Sequence, residues 1–255
     1  MPAKNATTRF SSRVDDYVKY RPHYPPEIID LLAAKCDLTP ESVIADVGSG
    51  TGILTKLFLE NGNAVVGVEP NKEMREAGEE YLAEYGRFNS VDGTSETTRL
   101  PSGAMDFIVA GQAFHWFDQA KSRIEFQRIL KPDGWTVLVW NDRRVDSTPF
   151  LRDYEALLQT FSTDYNEINH KNVQDKKVFT AFFGNPPHEA AFDNIQLFDF
   201  DGLMGRLNSS SYVPGRDDPR HAALTKRAKE IFDAHAANGK VVFEYDTRVY
   251  SGRML

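Results

Sequence analysis

"VIADVGSGTGILTKL", Val43–Leu57, decides the fold. Val43–Val47 is an apolar-dominated run that reads as a buried strand, and Ile53 opens a stretch that reads as a helix to about Glu60. Between them stand three glycines at alternate positions, Gly48, Gly50 and Gly52. Glycine tolerates positive φ and has no Cβ, so a strand–helix turn of this composition lets a ligand lie directly against the main chain.

Outward from that unit, helical and strand patterns alternate from about residue 25 to 141. Upstream, "YPPEIIDLLAAKC" has proline at a helix start and apolar Ile28, Ile29, Leu31 and Leu32. Downstream, Asn61-Gly62 stops the second helix, "AVVGVEP" is the second strand ended by Pro70, and Lys72–Tyr85 is the next helix. "RFNSVDG" is a weaker third strand and "MDFIVAG" a fourth. Asp118–Leu130 is a helix with Phe126, Ile129 and Leu130 on one face, and "KPDG" stops it and turns the chain into a fifth strand, "WTVLVWN". This alternation predicts a parallel sheet covered by helices. After Asn141 the pattern changes. Residues 142–190 are polar and aromatic and read as helices and loops laid over the sheet. "AFDNIQLFDF" and "KVVFEYDTRVYSG" are long β candidates, with a helical stretch between them at roughly 218–237. In the second, Val241, Phe243, Tyr245, Thr247 and Val249 alternate with charged positions, as in a half-exposed antiparallel strand. The expected fold is α/β: a doubly wound, seven-stranded, mostly parallel sheet with a C-terminal antiparallel pair. It is read as one domain over 1–255, its core 25–141 with 191–201 and 240–251, under a helical lid from 1–24, 142–190 and 202–237.

With 255 residues the chain can bury a sizeable core, and its 41% hydrophobic and 26% charged content is that of an ordinary globular protein. The polar start "MPAKNATTRFSSRVDDYVKY" lacks a signal-peptide core, and no apolar run much exceeds "WTVLVW", so a cytoplasmic protein with no membrane partner is expected. The single cysteine, Cys36, excludes an intrachain disulfide. A net charge of −7 without a dense Lys/Arg block predicts no nucleic-acid partner. Six histidines without an i,i+4 pair or clustered acids predict no metal site. The expected state is a monomer or homodimer.

Two ligands suit the glycine turn: a dinucleotide's pyrophosphate and the amino-acid end of S-adenosylmethionine. A dinucleotide fingerprint, G-x-G-x-x-G, needs its third glycine where this chain has Ile53. Asp46 at the strand end is poorly placed beside a pyrophosphate and well suited to an ammonium group. Glu69, ending the second strand, can accept ribose hydroxyls from either ligand and does not discriminate. The glycine spacing and Asp46 favour S-adenosylmethionine.

With these residues in place the chain resembles the class I S-adenosylmethionine-dependent methyltransferases over about residues 10–141. "VIADVGSGTG" is similar to their first motif and "VVGVEPNKEM" to their acidic second. "VDGTSETTRLPSGAMDFIVAGQAFHWFD" is similar to their third and fourth strands and "RILKPDGWTVLVWN" to the entry to the fifth. "DDYVKYRPHYPPEIIDLL", "QAFHWFD" and the late "GRLNSSSYVP" resemble most the small-molecule group related to trans-aconitate methyltransferase. The resemblance implies that Asp46, Gly48, Ser49 and Gly50 hold the methionine end, Glu69 the ribose, and Pro70 and Met74 the adenine faces. It also implies that Thr94 and Ser95 meet the adenine edge, where many relatives carry an acid and Thr94 is none. Gln112, Ala113 and Trp116 would face the sulfonium.

The acceptor is then a small molecule, with a carboxylate as the favoured class. Tyr17, Arg21 and Tyr24 precede the first core helix, and Arg206 and Tyr212 lie in the late serine-rich stretch; a guanidinium set among tyrosines seeks a carboxylate. The alternative for each is plain packing. His115, at the end of the fourth strand, is the candidate general base, or a packing residue beneath the cofactor. With His115 as base, the alternative reaction is transfer to an oxygen, nitrogen or carbon of a secondary-metabolite or quinone-like compound. An alternative of another class is a non-catalytic S-adenosylmethionine-binding regulator or partner subunit. "NPPH", Asn185–His188, mimics the motif of adenine-amino methyltransferases but stands far from the fourth strand and lacks its aromatic, so it reads as a loop.

Overall fold

The buried apolar run Val43–Val47 becomes β1, the centre of the sheet. A central parallel strand has both faces covered, which is why it reads as continuous rather than alternating hydrophobicity. The structure, a computed structural model, describes residues 19–162, 176–210 and 212–254. β2 (Ala64–Val68) and β4 (Met105–Gly111) flank β1 in parallel. β3 (Phe88–Val91) lies outside β2, and β5 (Leu130–Arg143) outside β4. β7 (Val241–Gly252) runs antiparallel to β5, and β6 (His188–Phe198) closes the edge antiparallel to β7. The order is β3-β2-β1-β4-β5-β7-β6. The chain therefore winds one way from β1 to β3 and the other way from β4 onward. The crevice at the carboxyl ends of β1 and β4 is the switch point where such sheets take ligands.

Alternate residues of β1 feed opposite cores. Ile44 packs with Ile28 and Leu32 of α1 (Glu27–Cys36) and Phe58 of α2 (Ile53–Glu60). Ala45 and Val47 join the other face with Phe126 of α4 (Gln119–Ile129), Trp140, and Phe179 and Phe183 of α6 (Lys176–Phe183). A third cluster lies where α5 (Pro149–Phe161), α7 (Phe200–Asn208) and α8 (His221–His235) bury Tyr154, Leu203 and Leu224 with Phe243 of β7.

Four readings shift. "KPDG" does not separate helix from strand: Leu130 pairs with Met105 and Trp135 with Phe107, so residues 131–134 form a bulge within β5, secured by Lys131 Nζ on Asp106 at 2.8 Å. The helix after β2, α3 (Lys72–Tyr81), stops short of Tyr85 because Leu82 is fully buried and closes on the glycine turn; a Cβ on Gly52 would stand 2.5 Å from its Cδ1. β6 begins at His188, so the end of "NPPH" opens a strand. Helix α7 was hidden by its two glycines, Gly202 and Gly205; it is capped by Asp199, whose Oδ1 accepts from the Gly202 amide at 2.8 Å.

Candidate functional site

The strand-end turn holds all three glycines at positive φ: 72° at Gly48, 56° at Gly50 and 82° at Gly52. It is tied to the end of β2 by Gly48 N–H donating to Val68 O at 2.8 Å. A Cβ at Gly48 would stand 2.6 Å from that of Ala113, so the turn and the segment after β4 close on one another. Asp46, 1% exposed, accepts a 2.6 Å hydrogen bond from Thr55 Oγ1 of α2 on Oδ2. Its Oδ1 is buried with no hydrogen-bond partner among the described residues, and so is Thr51 Oγ1 in the same turn. Burial pushes the Asp46 carboxyl up to about 7; the Thr55 bond opposes the shift and the Glu69 charge adds to it.

Glu69, 9% exposed, accepts from the amides of Gly50 at 2.9 Å and Asn71 at 2.8 Å, one on each carboxylate oxygen. Each oxygen has a further lone pair for a hydroxyl. Burial raises the Glu69 pKa, and the two amides hold it down. The carboxylate thus clasps the glycine turn to the start of α3, which Asn71 caps by accepting from Met74 N at 2.9 Å. Pro70 lies half-buried between them, and Met74 is buried with its Cε 3.3 Å from where a Gly50 Cβ would be. Ser49 Oγ lies 2.9 Å from where a Cβ on Gly67 would be, so Gly67 leaves room for it.

After β3, Thr94 pairs with Thr97 through the backbone. The Ser95 hydroxyl bonds Glu96 at 3.0 Å and Ser122 of α4 at 2.9 Å, so it is engaged toward α4. The acids of this loop are Asp92 and Glu96, and Glu96 also accepts from Asp118 N at 2.9 Å. After β4, Gln112 takes φ 56°, a left-handed backbone at a non-glycine residue, and its side chain donates to Asn141 O at 3.1 Å. Buried Ala113 leads into a 3₁₀ turn, Phe114–Trp116. Phe114 anchors that turn against Phe182, ring centroids 4.6 Å apart, and leaves His115 and Trp116 partly exposed with rings 4.9 Å apart.

Tyr17 lies outside the described residues. The segment after it crosses the sheet beside β5 and β6, and amide side chains hold its carbonyls: Gln196 on Tyr20 O at 3.3 Å, Asn194 on His23 O at 2.7 Å, and Asn141 on Pro22 O at 3.3 Å. Tyr24 reaches the end of β4, where a Cβ on Gly111 would meet its hydroxyl at 2.5 Å. Arg21 donates through Nη2 to Ser209 O at 2.8 Å, in the loop that follows Arg206. Arg206, 7% exposed, donates to the hydroxyls of Ser210 at 3.1 Å and Tyr245 at 3.4 Å. Burial works against its charge, and the oxygens of Tyr245, Tyr154 and Tyr212 more than offset that, so its pKa is raised. The two halves of the site meet at Asn141, which joins Gln112 to the crossing segment. Thr51, Thr55, Asn141, Tyr154 and Tyr245 were not singled out from sequence; only the buried alternation of β7 pointed at Tyr245.

Comparison with known proteins agrees with this geometry. Residues 45–138 match the family described as methyltransferase domain. An uncharacterized methyltransferase of Schizosaccharomyces pombe is 30% identical over 250 residues, covering 95% of this chain and 95% of that protein. One of Mycobacterium bovis is 36% identical over 140 residues, 55% of each chain, so the match spans about half the length of that relative. Among solved structures, one assigned provisionally as a type II methyltransferase from Anaeromyxobacter dehalogenans shares the fold. Its TM-score is 0.69 at 21% identity, covering 92% of this chain and 99% of that one. On the glycine turn, its paired acids and a full-length relative at this identity, the chain belongs to the methyltransferase-domain family.

Proposed function

We propose that this chain transfers a methyl group from S-adenosylmethionine to a small-molecule acceptor that carries a carboxylate. The observation that carries the reading is the unbonded, buried Oδ1 of Asp46 beside three positive-φ glycines. A buried carboxylate with one oxygen unbonded is costly, a cation beside it offsets that cost, and a pyrophosphate would add to it. The donor set fits: Asp46 and Thr51 face the amino-acid end with Gly48, Ser49 and Gly50. The free lone pairs of Glu69 accept the ribose hydroxyls, and Pro70 and Met74 flank the base. Thr94 and Ser95 border its edge, Ser95 through its backbone, since its hydroxyl is engaged elsewhere.

When bound, the cofactor supplies an electrophilic methyl group: an acceptor lone pair forms the new bond and the S–C electrons return to sulfur. Gln112, Ala113 and Trp116 line the strand-4 end where that exchange takes place. Residues 19–24 and the loop after α7 close over it, so that the chain's work is positioning and exclusion of water. An anionic acceptor needs no base. His115, partly exposed on the same 3₁₀ turn, is the base if the acceptor is neutral. The likeness of residues 15–32 and 205–214 to the trans-aconitate methyltransferase group supports the anionic alternative.

Titration calorimetry tests the cofactor half. S-adenosylmethionine and S-adenosylhomocysteine are expected to bind and NAD is not. Glu69→Ala should weaken binding by ~2–4 kcal/mol, because hydrogen bonds to an ionised group are lost. Comparable NAD affinity, or an unaffected Glu69→Ala variant, refutes the assignment. Transfer of labelled methyl to a metabolite pool separates the enzyme from a non-catalytic binder.

A further inference from the structure

Arg206 is a buried cation with no acid paired to it among the described residues. It sits in the last turn of α7, and among the described residues no carboxylate lies within ion-pair distance of it. Every recorded partner is neutral, a serine or tyrosine hydroxyl, at 3.1–3.5 Å, which is long for bonds to a guanidinium. Two further arginines of this region, by contrast, are paired with acids: Arg143 with Glu155, and Arg144 with Asp193 and Asp246. Two of its donor groups, on Nη2, bond no described residue, although a guanidinium offers five donors in a planar fork matched to a carboxylate.

The surroundings are built to hold this cation in place. Ser209 donates to Arg206 O at 2.7 Å, fixing the helix end. Arg21 draws the same loop toward the crossing segment through Ser209 O. Tyr245 is in turn oriented by donating to Gln196 at 2.9 Å. A preorganised, desolvated guanidinium ringed by hydroxyls, joined through Arg21 and Tyr24 to the end of β4, has the construction of an anion receptor.

We propose that Arg206 receives the carboxylate of the methyl acceptor, anchoring it so that a second atom of the same molecule meets the methyl donor at the strand-4 end. The inference rests on the methyl-transfer reading above and assigns within it the residue that holds the acceptor's carboxylate. One positive charge among neutral hydroxyls balances a single negative charge, so a carboxylate fits and a phosphate monoester, carrying nearly two, is under-compensated.

The probes are straight-chain C2–C6 mono- and dicarboxylates, the corresponding amides, and matching alkyl phosphates, at equal ionic strength. Wild-type protein is followed by thermal shift with and without S-adenosylhomocysteine, and by transfer of labelled methyl. Both carboxylate series should stabilise the wild type, the dicarboxylates, which keep a second nucleophilic group free, should serve as acceptors, and the amides should do neither. Arg206→Gln should raise acceptor KM at least tenfold, with Arg206→Lys intermediate, while S-adenosylhomocysteine affinity stays within threefold. Equal response to acid and amide, preference for the phosphates, or an unchanged KM in Arg206→Gln overturns the proposal. Should Arg206→Gln not fold, the wild-type acid–amide comparison decides alone. Failure of S-adenosylhomocysteine to bind refutes the methyl-transfer reading instead, and the carboxylate arm without it still reads out Arg206.

Discussion

Within the free protein Asp46 is buried away from water, which is the main penalty on its ionised form; Thr55 hydrogen-bonds Oδ2, no described residue bonds Oδ1, and Glu69 adds a charged neighbour of the same sign. Its pKa therefore rises from 3.8 to about 7, and the sign of the consequence follows. Below about pH 4 the group is protonated in both folded and unfolded chains and costs nothing. Between about 4 and 7 the unfolded chain gives up the proton and the native one keeps it. Stability of the free protein falls as pH rises through that window, by ~4 kcal/mol in all, and levels off above it. Asp46→Asn should flatten this limb and stabilise the free protein at pH 8, yet weaken S-adenosylhomocysteine binding, which in the wild type should strengthen as pH rises through 7. Urea midpoints of both proteins from pH 4 to 8 check it; parallel curves would defeat the argument. The carboxylates of this site were legible in the sequence because strand ends and glycine spacing are local signals. Thr51 and Thr55 were not, since a threonine in a turn or an apolar helix shows nothing of the carboxylate it faces. Nor could Ser95 be seen to bond Ser122, a contact 27 residues away in sequence.

At the scale of elements, the strands were legible wherever the hydrophobic period is set by burial on both faces, as in β1 and β4. Boundaries moved where tertiary packing overrode local signals: Leu82 ending α3 and the bulge at residues 131–134. Helix α7 went unread because glycine argues against a helix interior, and Gly205 is explained only by a neighbour 185 residues away in sequence. A Cβ there would lie 2.1 Å from Cε2 of Tyr20. Gly205→Ala thus sets two effects against each other. Helix propensity favours alanine by up to ~1 kcal/mol, and overpacking against the ring costs ~1–3 kcal/mol. At 2.1 Å the clash should win, displacing residues 19–24 from α7. The expected outcome is a lower Tm and a higher acceptor KM, with S-adenosylhomocysteine affinity within threefold. Tyr20→Ala combined with Gly205→Ala should regain Tm over Gly205→Ala alone, since the two share one contact. Simple additivity of the two losses would show that Gly205 matters for some other reason.

Over the whole molecule, charge sets which partners the site can meet. The chain carries 30 Lys+Arg against 37 Asp+Glu, and several of the basic groups are already spent on acids of the same fold. Arg128 pairs with Glu125, Arg248 with Asp142, Arg144 with Asp193 and Asp246, and Lys229 with Asp233. A cation so paired releases no counterions when a phosphate backbone approaches, because its field is cancelled locally. The one buried guanidinium without an acid among the described residues, Arg206, is 7% exposed and so is out of reach of a polyanion while remaining fit for a small one. No helix of the described residues is long and apolar enough to cross a membrane. The expected outcome is that neither tRNA nor duplex DNA binds appreciably at physiological salt, and that both fail to compete with a small acceptor in the transfer assay. Filter binding over a salt series checks this directly. Tight binding that falls steeply with added salt would reveal a basic groove, and a macromolecular acceptor would then displace the small carboxylate.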